Sequence, residues 1–481
     1  MTSVILNLVG GEWARSSNAQ TFPVRNPATN ETVAEAQLST LDDAKRVIDL
    51  SAEVFETSDW STDHRRRAVA LNKLADLIEK EREPLAQQLT IENGKPLKQA
   101  RAEVDNSADH LRFYAGLSRN LYGRAFGLSR SSYSIIAREP MGVVGNIVPW
   151  NYPLVLLFRS LAASLAAGNV SIVKPASYTP ITTFRIMQLA EKINEFPRGV
   201  LSFITGPGSV VGAEIARNAK VDMVSLTGDT ATGKEILRLS AENIKKVCLE
   251  LGGKSPNIIF QDADMSAALG GAITGGFTAS GQVCFAGSRL LVDERVHSAF
   301  VDSVKRRAES LRVGSGLDEN NDLGPVISQS QMDTVLKYID IGKSEAVLLT
   351  GGRRLEEGEL SRGNFIAPTV FDNVPTEARI AQEEIFGPVV SVISFDDEED
   401  AVRIANDTSY GLAAAVWTKD VKRAFRVSRR IRAGTIWVNA YGKTFAETEY
   451  GGYKQSGIGR ERGVEGLLEF TQAKHIYFDL S

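Results

Sequence analysis

Cysteine and histidine are scarce: the 481-residue chain has two cysteines, Cys248 and Cys284, and four histidines, His64, His110, His297 and His475. Two cysteines make no disulfide framework, and their scarcity fits a reducing compartment in which a lone thiol stays free for chemistry. None of the histidines lies in a motif resembling a cysteine–histidine hydrolase, which argues against a thiol peptidase. No cluster of residues has metal-ligand spacing, so no metal is expected. Long apolar runs are missing too. The longest, 161–173, is interrupted by Ser164, Gly168, Asn169 and Ser171 and is too short to span a bilayer. The opening MTSVILNLVGGEW lacks a basic leader and a small-residue cleavage site, so a soluble cytoplasmic protein is expected. Neither sign of charge dominates. A net charge of −4 gives no electrostatic reason to bind nucleic acid or an anionic membrane.

What remains is the composition of an ordinary globular enzyme, 43% hydrophobic and 24% charged, in a chain long enough to need two or more domains. Apolar residues at helical spacing predict helices over 41–56, 65–91 and 97–117, so the first third reads as mostly helical. A Ser-rich alternation over 122–138 predicts a β-hairpin or exposed strand pair. Strands and helices then alternate: VVGNIVPW, a helix ending at Gly168, VSIVKPA, a helix over 181–194, LSFIT, a helix over 210–218, MVSLTG and a helix over 230–240. That succession predicts a doubly wound parallel sheet. After Gly252 and Gly253 the alternation restarts with SPNIIF, a helix over 265–279, SRLLV and a helix over 296–311. It continues with AVLLTGG, VVSVISF, AAAVW, a helix over 421–430 and TIWVNA, the makings of a second α/β domain. No short-period repeat or low-complexity tract interrupts the pattern. The C-terminal FTQAKHIYFDL reads as a strand whose natural partner is the Ser-rich hairpin, giving a third, small sheet.

Four features could carry chemistry, and each has a plainer reading. Cys284 sits among small residues, Gly281, Ala286, Gly287 and Ser288, which admit a substrate; most cysteines are simply small buried hydrophobes. Glu250 lies between Leu249 and Leu251 in LELGGKSP. Buried there, it needs a partner or a task, and burial raises a carboxyl toward the range of a general base; the plainer reading is an edge residue facing water. Asn151 follows Pro149 and Trp150 at the end of a buried strand, where doubly wound sheets bind ligands. Its amide could donate to an oxyanion, or cap the helix that starts at Pro153. TGPGSVVG, with Gly208, and LTGDTATGK, with Gly228, are glycine turns between strand and helix. Neither has the G-x-G-x-x-G spacing, so tight turns explain them as well as a bound pyrophosphate does.

Taken together, PWNYPL, VKPAS, LTGDT, LELGGKSP, GQVCFAGSR, EEIFGPV and GYKQSGIGRERG resemble, in order, the motif series of the aldehyde dehydrogenase superfamily, and they cover roughly 142–462. The resemblance implies oxidation of an aldehyde to a carboxylic acid with NAD or NADP, through Cys284 as nucleophile, Glu250 as water-activating base and Asn151 as oxyanion donor. It implies that Lys174 and Ser177 meet the adenosine ribose, that Glu384 and Phe386 position the nicotinamide ribose, and that Pro149, Trp150, Gly208 and Gly228 line the cofactor cleft. It further implies a dinucleotide-binding domain (1–120 and 141–251), a catalytic domain (252–450) and a small β oligomerisation element (121–140 and 451–481) in a homodimer or homotetramer.

Three positions depart from the family's pattern. Ser177 stands where many NAD-specific members carry glutamate; without that carboxylate a 2′-phosphate is not repelled, which leaves NADP open. Asp229 replaces a small residue and suits a helix N-cap better than a pyrophosphate neighbour. Arg159, eight residues after Asn151, reads either as a brace or as a contact to an anionic or aromatic substrate. Tyr152 and Phe285 would add an apolar wall, favouring a hydrophobic or aromatic aldehyde, while Arg159 would allow an acid semialdehyde. A CoA-acylating member would have less use for Glu250, and a catalytically silent binding member would not keep Cys284, Glu250 and Asn151. A thiol hydrolase remains only as a side activity.

Overall fold

In the computed structural model, which describes residues 3–481, the apolar stretch around 161–173 becomes a helix and a strand at the centre of the molecule. The elements that build the site are, in chain order, helices α1 (Arg82–Asn93) and α2 (Leu97–Ser118), strand β1 (Val143–Ile147), helix α3 (Pro153–Ala167), strand β2 (Val170–Lys174), helix α4 (Pro180–Ala190), and strands β3 (Leu201–Phe203), β4 (Met223–Thr227) and β5 (Lys246–Glu250). Every residue of α3 is buried. Proline at its first position pre-sets the backbone, and Gly168 at φ 98° closes its C-terminus in the left-handed conformation. Leu154, Leu157, Phe158 and Leu161 are fully enclosed, each worth about 1.5–3 kcal/mol of transfer free energy.

The five strands run parallel in the order β5-β4-β1-β2-β3. From β1 the chain winds outward to β2 and β3, then crosses back to β4 and β5 on the other side. The order therefore reverses beside β1, the place where open α/β sheets bind ligands. A hairpin of Asn7–Val9 and Glu12–Ala14 adds to β3, and Gly457–Ile458 pairs antiparallel with β5, completing eight strands. A second sheet of seven strands has the order Val347–Thr350, Thr369–Asp372, Val389–Phe395, Arg289–Asp293, Pro256–Ile259, Ala413–Trp417, Thr435–Val438. It is parallel except at its first, edge strand. The third sheet is antiparallel: Thr471–Asp479 pairs along its whole length with Ser132–Pro140, which pairs with Arg124–Ser129. The orphan C-terminal strand and the Ser-rich hairpin thus meet.

Several expectations change. The predicted helix over 65–91 is two helices, His64–Lys80 and α1, which bend at Glu81. Both bury their apolar side in one core, so the periodicity runs through the bend unbroken. The first third also holds five short strands between Ser3 and Gln37; runs of three to six residues give too little alternation to see. The helix expected over 210–218 opens with a π-helical turn, Gly208–Gly212, before Ala213–Arg217. The helix begun at Met265 stops at Phe277, because Ala279 and Ser280 take left-handed backbone. Of the segment 451–481, only Thr471–Asp479 joins the small sheet. Gly457–Ile458 belongs to the first sheet, and the helix Gly463–Glu469 packs on α3. No helix among the described residues is long and apolar enough to cross a membrane.

Candidate active site

All the sequence-selected residues of the first sheet sit just beyond the carboxyl ends of its parallel strands: Pro149 to Tyr152 after β1, Lys174 to Ser177 at β2, Gly208 after β3, Gly228 after β4 and Glu250 at the end of β5. Asn151 is buried. Its side chain does not cap α3, as one reading had it. It donates instead to the carbonyl oxygen of Gln282 at 3.0 Å. The cap comes from a distance: Glu103 on α2 accepts the Leu154 and Val155 N–H groups at 2.9 and 3.3 Å. Lys95 is ion-paired to Glu103, donates to the Asn151 carbonyl at 2.7 Å, and lies 3.6 Å over the Tyr152 ring. Asn93 donates to the Trp150 carbonyl at 2.8 Å. The stretch between α1 and α2 therefore clamps the Asn151 loop from below.

Cys284 arrives on an unusual turn. Ala279, Ser280 and Gly281 are left-handed in succession, at φ 50°, 56° and 73°. A side chain at Gly281 would meet the Gly387 carbonyl at 2.0 Å, so the glycine lets the cysteine segment press against EEIFGPV. The thiol is buried, 3.8 Å from the Tyr450 hydroxyl. Burial, and next the charge of the nearby Glu250 carboxylate, push the thiol well above its ordinary value, with Arg159 opposing. A thiol so placed is protonated at neutral pH and needs a base.

Glu250 is buried, as expected, yet not isolated: Oε2 accepts from Arg159 at 2.6 Å, while Oε1 has no protein partner. Arg159 also donates to Thr227 at 3.0 Å and is ion-paired to Glu461. Its guanidinium is ion-paired to two carboxylates, which favours the brace reading, and it also lines the cavity on Cys284. A cavity of about 260 Å³ opens on Cys284 and is walled by Asn151, Tyr152, Phe285, Tyr441 and Arg462. Tyr152 and Phe285 thus fall where an apolar wall was expected.

The remaining residues converge from both sheets. Lys174 is buried, donates to the Pro175 carbonyl at 3.1 Å, and is pushed down to about 8 by burial. Ser177 is half-buried on the same turn. A side chain at Gly208 would meet nothing within 4 Å, and one at Gly228 would touch only Leu226. Asp229 caps the helix Thr230–Ser240, accepting from the Thr232 N–H at 2.9 Å, as anticipated. From the other sheet, Glu384 accepts the Gly253 N–H at 3.2 Å, and loss of hydration raises it to about 8. Phe386 meets Trp150 edge-to-face, centroids 5.2 Å apart, from a backbone at φ 56° that a phenylalanine adopts only when its surroundings impose it.

With that geometry in place, comparison with known proteins decides the family. The family model described as aldehyde dehydrogenase family matches residues 13–476. The chain belongs to the aldehyde dehydrogenase family. The dehydrogenase is 42% identical to betaine aldehyde dehydrogenase of Bacillus subtilis (strain 168) over 472 residues, 98% of this chain and 96% of that one. It is 39% identical to an aldehyde dehydrogenase of Emericella nidulans, covering 98% of this chain and 94% of that one. A crystal structure of Staphylococcus aureus betaine aldehyde dehydrogenase in complex with NAD+ superposes with a TM-score of 0.98 at 40% identity, covering 99% of this chain and 95% of that one. Sequence reasoning missed Lys95, Glu103, Tyr450, Glu461 and Arg462 at the dehydrogenase's site. Only the last two had a signal, lying inside GYKQSGIGRERG.

Proposed function

We propose that this aldehyde dehydrogenase uses Cys284 as nucleophile, Glu250 as base and Asn151 as oxyanion donor, with NAD or NADP as hydride acceptor. The observation that carries the reading is a buried Cys284 thiol beside Tyr450, on a cavity where the nearby buried Glu250 carboxylate keeps Oε1 without a hydrogen-bond partner. Glu250 takes the thiol proton, and the Cys284 sulfur adds to the aldehyde carbon, forming a thiohemiacetal. The developing oxyanion is held by the Cys284 N–H and the Asn151 amide, which turns from Gln282. When bound, the nicotinamide takes up the hydride that leaves the aldehyde carbon. The thioester left on Cys284 is then hydrolysed by water that Glu250, having lost its proton through the cavity, deprotonates. This need for a base favours hydrolysis over transfer to CoA.

The residues suit a dinucleotide. Lys174 uses one of its three donors on Pro175, leaving two for ribose hydroxyls, with Ser177 on the same turn. Gly208 and Gly228 leave open space at helix N-termini for phosphates. Glu384 is the acceptor for the second ribose, and Phe386 with Pro149 and Trp150 makes the apolar wall for the nicotinamide. Tyr152 and Phe285 favour an aldehyde with an apolar or aromatic body, and the arginines lining the cavity leave an acid semialdehyde open. The solved relative's NAD+ supports the cofactor class.

The test is the absorbance of reduced nicotinamide with a panel of aldehydes and both cofactors, for wild type and Cys284→Ala. Turnover in the wild type that vanishes in the variant supports the reading; equal turnover in both overturns it.

The small sheet exposes Phe126 and Tyr477 on one face and Tyr133 and Phe478 on the other, apolar side chains suited to packing against a second copy of the chain. A homodimer or homotetramer is the expected state, and a monomer by light scattering would refute it.

A further inference from the structure

Arg462 lines the cavity that opens on Cys284, and only 5% of it is exposed. Its backbone, at φ 61° and ψ 175°, lies in a region that is essentially glycine's own, so the surroundings hold an arginine where a side chain is strained. Among the described residues no carboxylate lies within salt-bridge distance of it, and its Nε has no hydrogen-bond partner. The nearby acids are committed elsewhere: Glu250 and Glu461 to Arg159, and Glu103 to Lys95 and the start of α3. It stacks over Tyr450, with the guanidinium 5.2 Å from the ring centroid. Burial and the neighbouring Arg159 bring it down to about 10, so it is still charged at neutral pH.

A buried guanidinium without an acceptor is costly, and it is the group best shaped to grip a carboxylate with two parallel N–H donors. We propose that the aldehyde this enzyme is built for carries a carboxylate away from its carbonyl, and that Arg462 binds it. The proposal rests on the cavity being the aldehyde site and deepens that reading by assigning the charge of the substrate. It sets this chain apart from relatives named for betaine aldehyde, a quaternary ammonium compound, since a cation would face Arg462 while the nearest acids, Glu250 and Glu461, are already ion-paired to Arg159.

The experiment compares kcat/KM for matched pairs, 4-carboxybenzaldehyde against 4-methylbenzaldehyde and succinic semialdehyde against butanal, with betaine aldehyde as the cationic case. Wild type should favour the carboxylate member of at least one pair by about tenfold or more, the value of a charge-assisted hydrogen bond. Arg462→Met should bring that ratio close to one while neutral aldehydes still turn over, and Arg462→Lys should keep part of it. A wild-type ratio near or below one in both pairs, betaine aldehyde as the best substrate, or a ratio unchanged in Arg462→Met overturns the proposal. Should the variants not fold, thermal stabilisation of wild type by terephthalate against benzoate replaces them. Stronger stabilisation by the dicarboxylate supports a second carboxylate site, and equal stabilisation contradicts it. That measurement needs no turnover, so a failure of the Cys284 reaction scheme is told apart from a failure at Arg462.

Discussion

Asn151 donates its side-chain N–H to the carbonyl oxygen of Gln282 at 3.0 Å, tying the loop after β1 to the turn that carries Cys284. One residue from the first sheet is thus tied to the turn from the second that carries the proposed nucleophile. The same amide is the only side-chain donor proposed for the oxyanion, so its position serves both purposes.

Replacing Asn151 by alanine removes that donor. The expected result is a fall in kcat of about 10²–10³-fold, the usual cost of one oxyanion-hole donor, with a much smaller change in KM. Steady-state kinetics on folded protein check this. A change confined to KM would place Asn151 in substrate binding alone.

Arg159 is enclosed between Glu250 and Glu461. Arg159→Met leaves two buried carboxylates without their cation, a loss of about 3–5 kcal/mol where one partner of a buried pair is removed. Urea unfolding should show it, with Arg159→Lys intermediate. Unchanged stability would mean that the acids find other partners.

Much of this site was legible because its residues end strands. β1, β2, β4 and β5 each show as short apolar runs followed by a proline, lysine, glycine or glutamate, and the alternation with helices places those ends on one edge. Lys95 and Glu103 were not legible, because their partners lie far off in sequence: Glu103 caps a helix 51 residues on. Asn151 was misread as one possible cap for the same reason, since no local signal shows that a remote carboxylate already does that work. Arg159 offered two readings, and only the presence of Glu461 beside Glu250 favours the brace. The bend at Glu81 and the strands before Gln37 escaped because periodicity reports which side is buried, not where an axis turns.

Ser177 leaves room for a 2′-phosphate at the turn of Lys174. Ser177→Glu should lower kcat/KM for NADP by about tenfold or more while sparing NAD, since two like charges at about 4 Å repel by roughly 4 kcal/mol at an effective dielectric near 20, before solvent screening. NADP turnover unchanged in the variant would exclude this position from cofactor selection.

Glu92 is fully buried, accepts the Ile181 and Thr182 N–H groups at 2.7 and 2.9 Å at the start of α4, and is raised by burial to about 7. A carboxyl raised by folding keeps its proton in the folded state after the unfolded chain has lost it. Its contribution to stability is therefore present below the ordinary value of 4.5 and is lost as pH rises to about 7. Glu92→Gln cannot titrate. The stability of wild type relative to this variant should fall between those pH values and level off above, as read from denaturant unfolding. A difference independent of pH would show that Glu92 does not titrate in this window.

The most direct test of the account is intact-mass analysis of Glu250→Gln mixed with aldehyde and NAD or NADP, with reduced nicotinamide followed in parallel. If Cys284 carries the acyl group and Glu250 both takes the thiol proton and drives hydrolysis, the variant should acylate more slowly than wild type and then stall after about one reduced nicotinamide per active site. Its mass should rise by one acyl group, located on Cys284. Sustained turnover at the wild-type rate, or a burst from protein whose Cys284 stays unmodified, would contradict it.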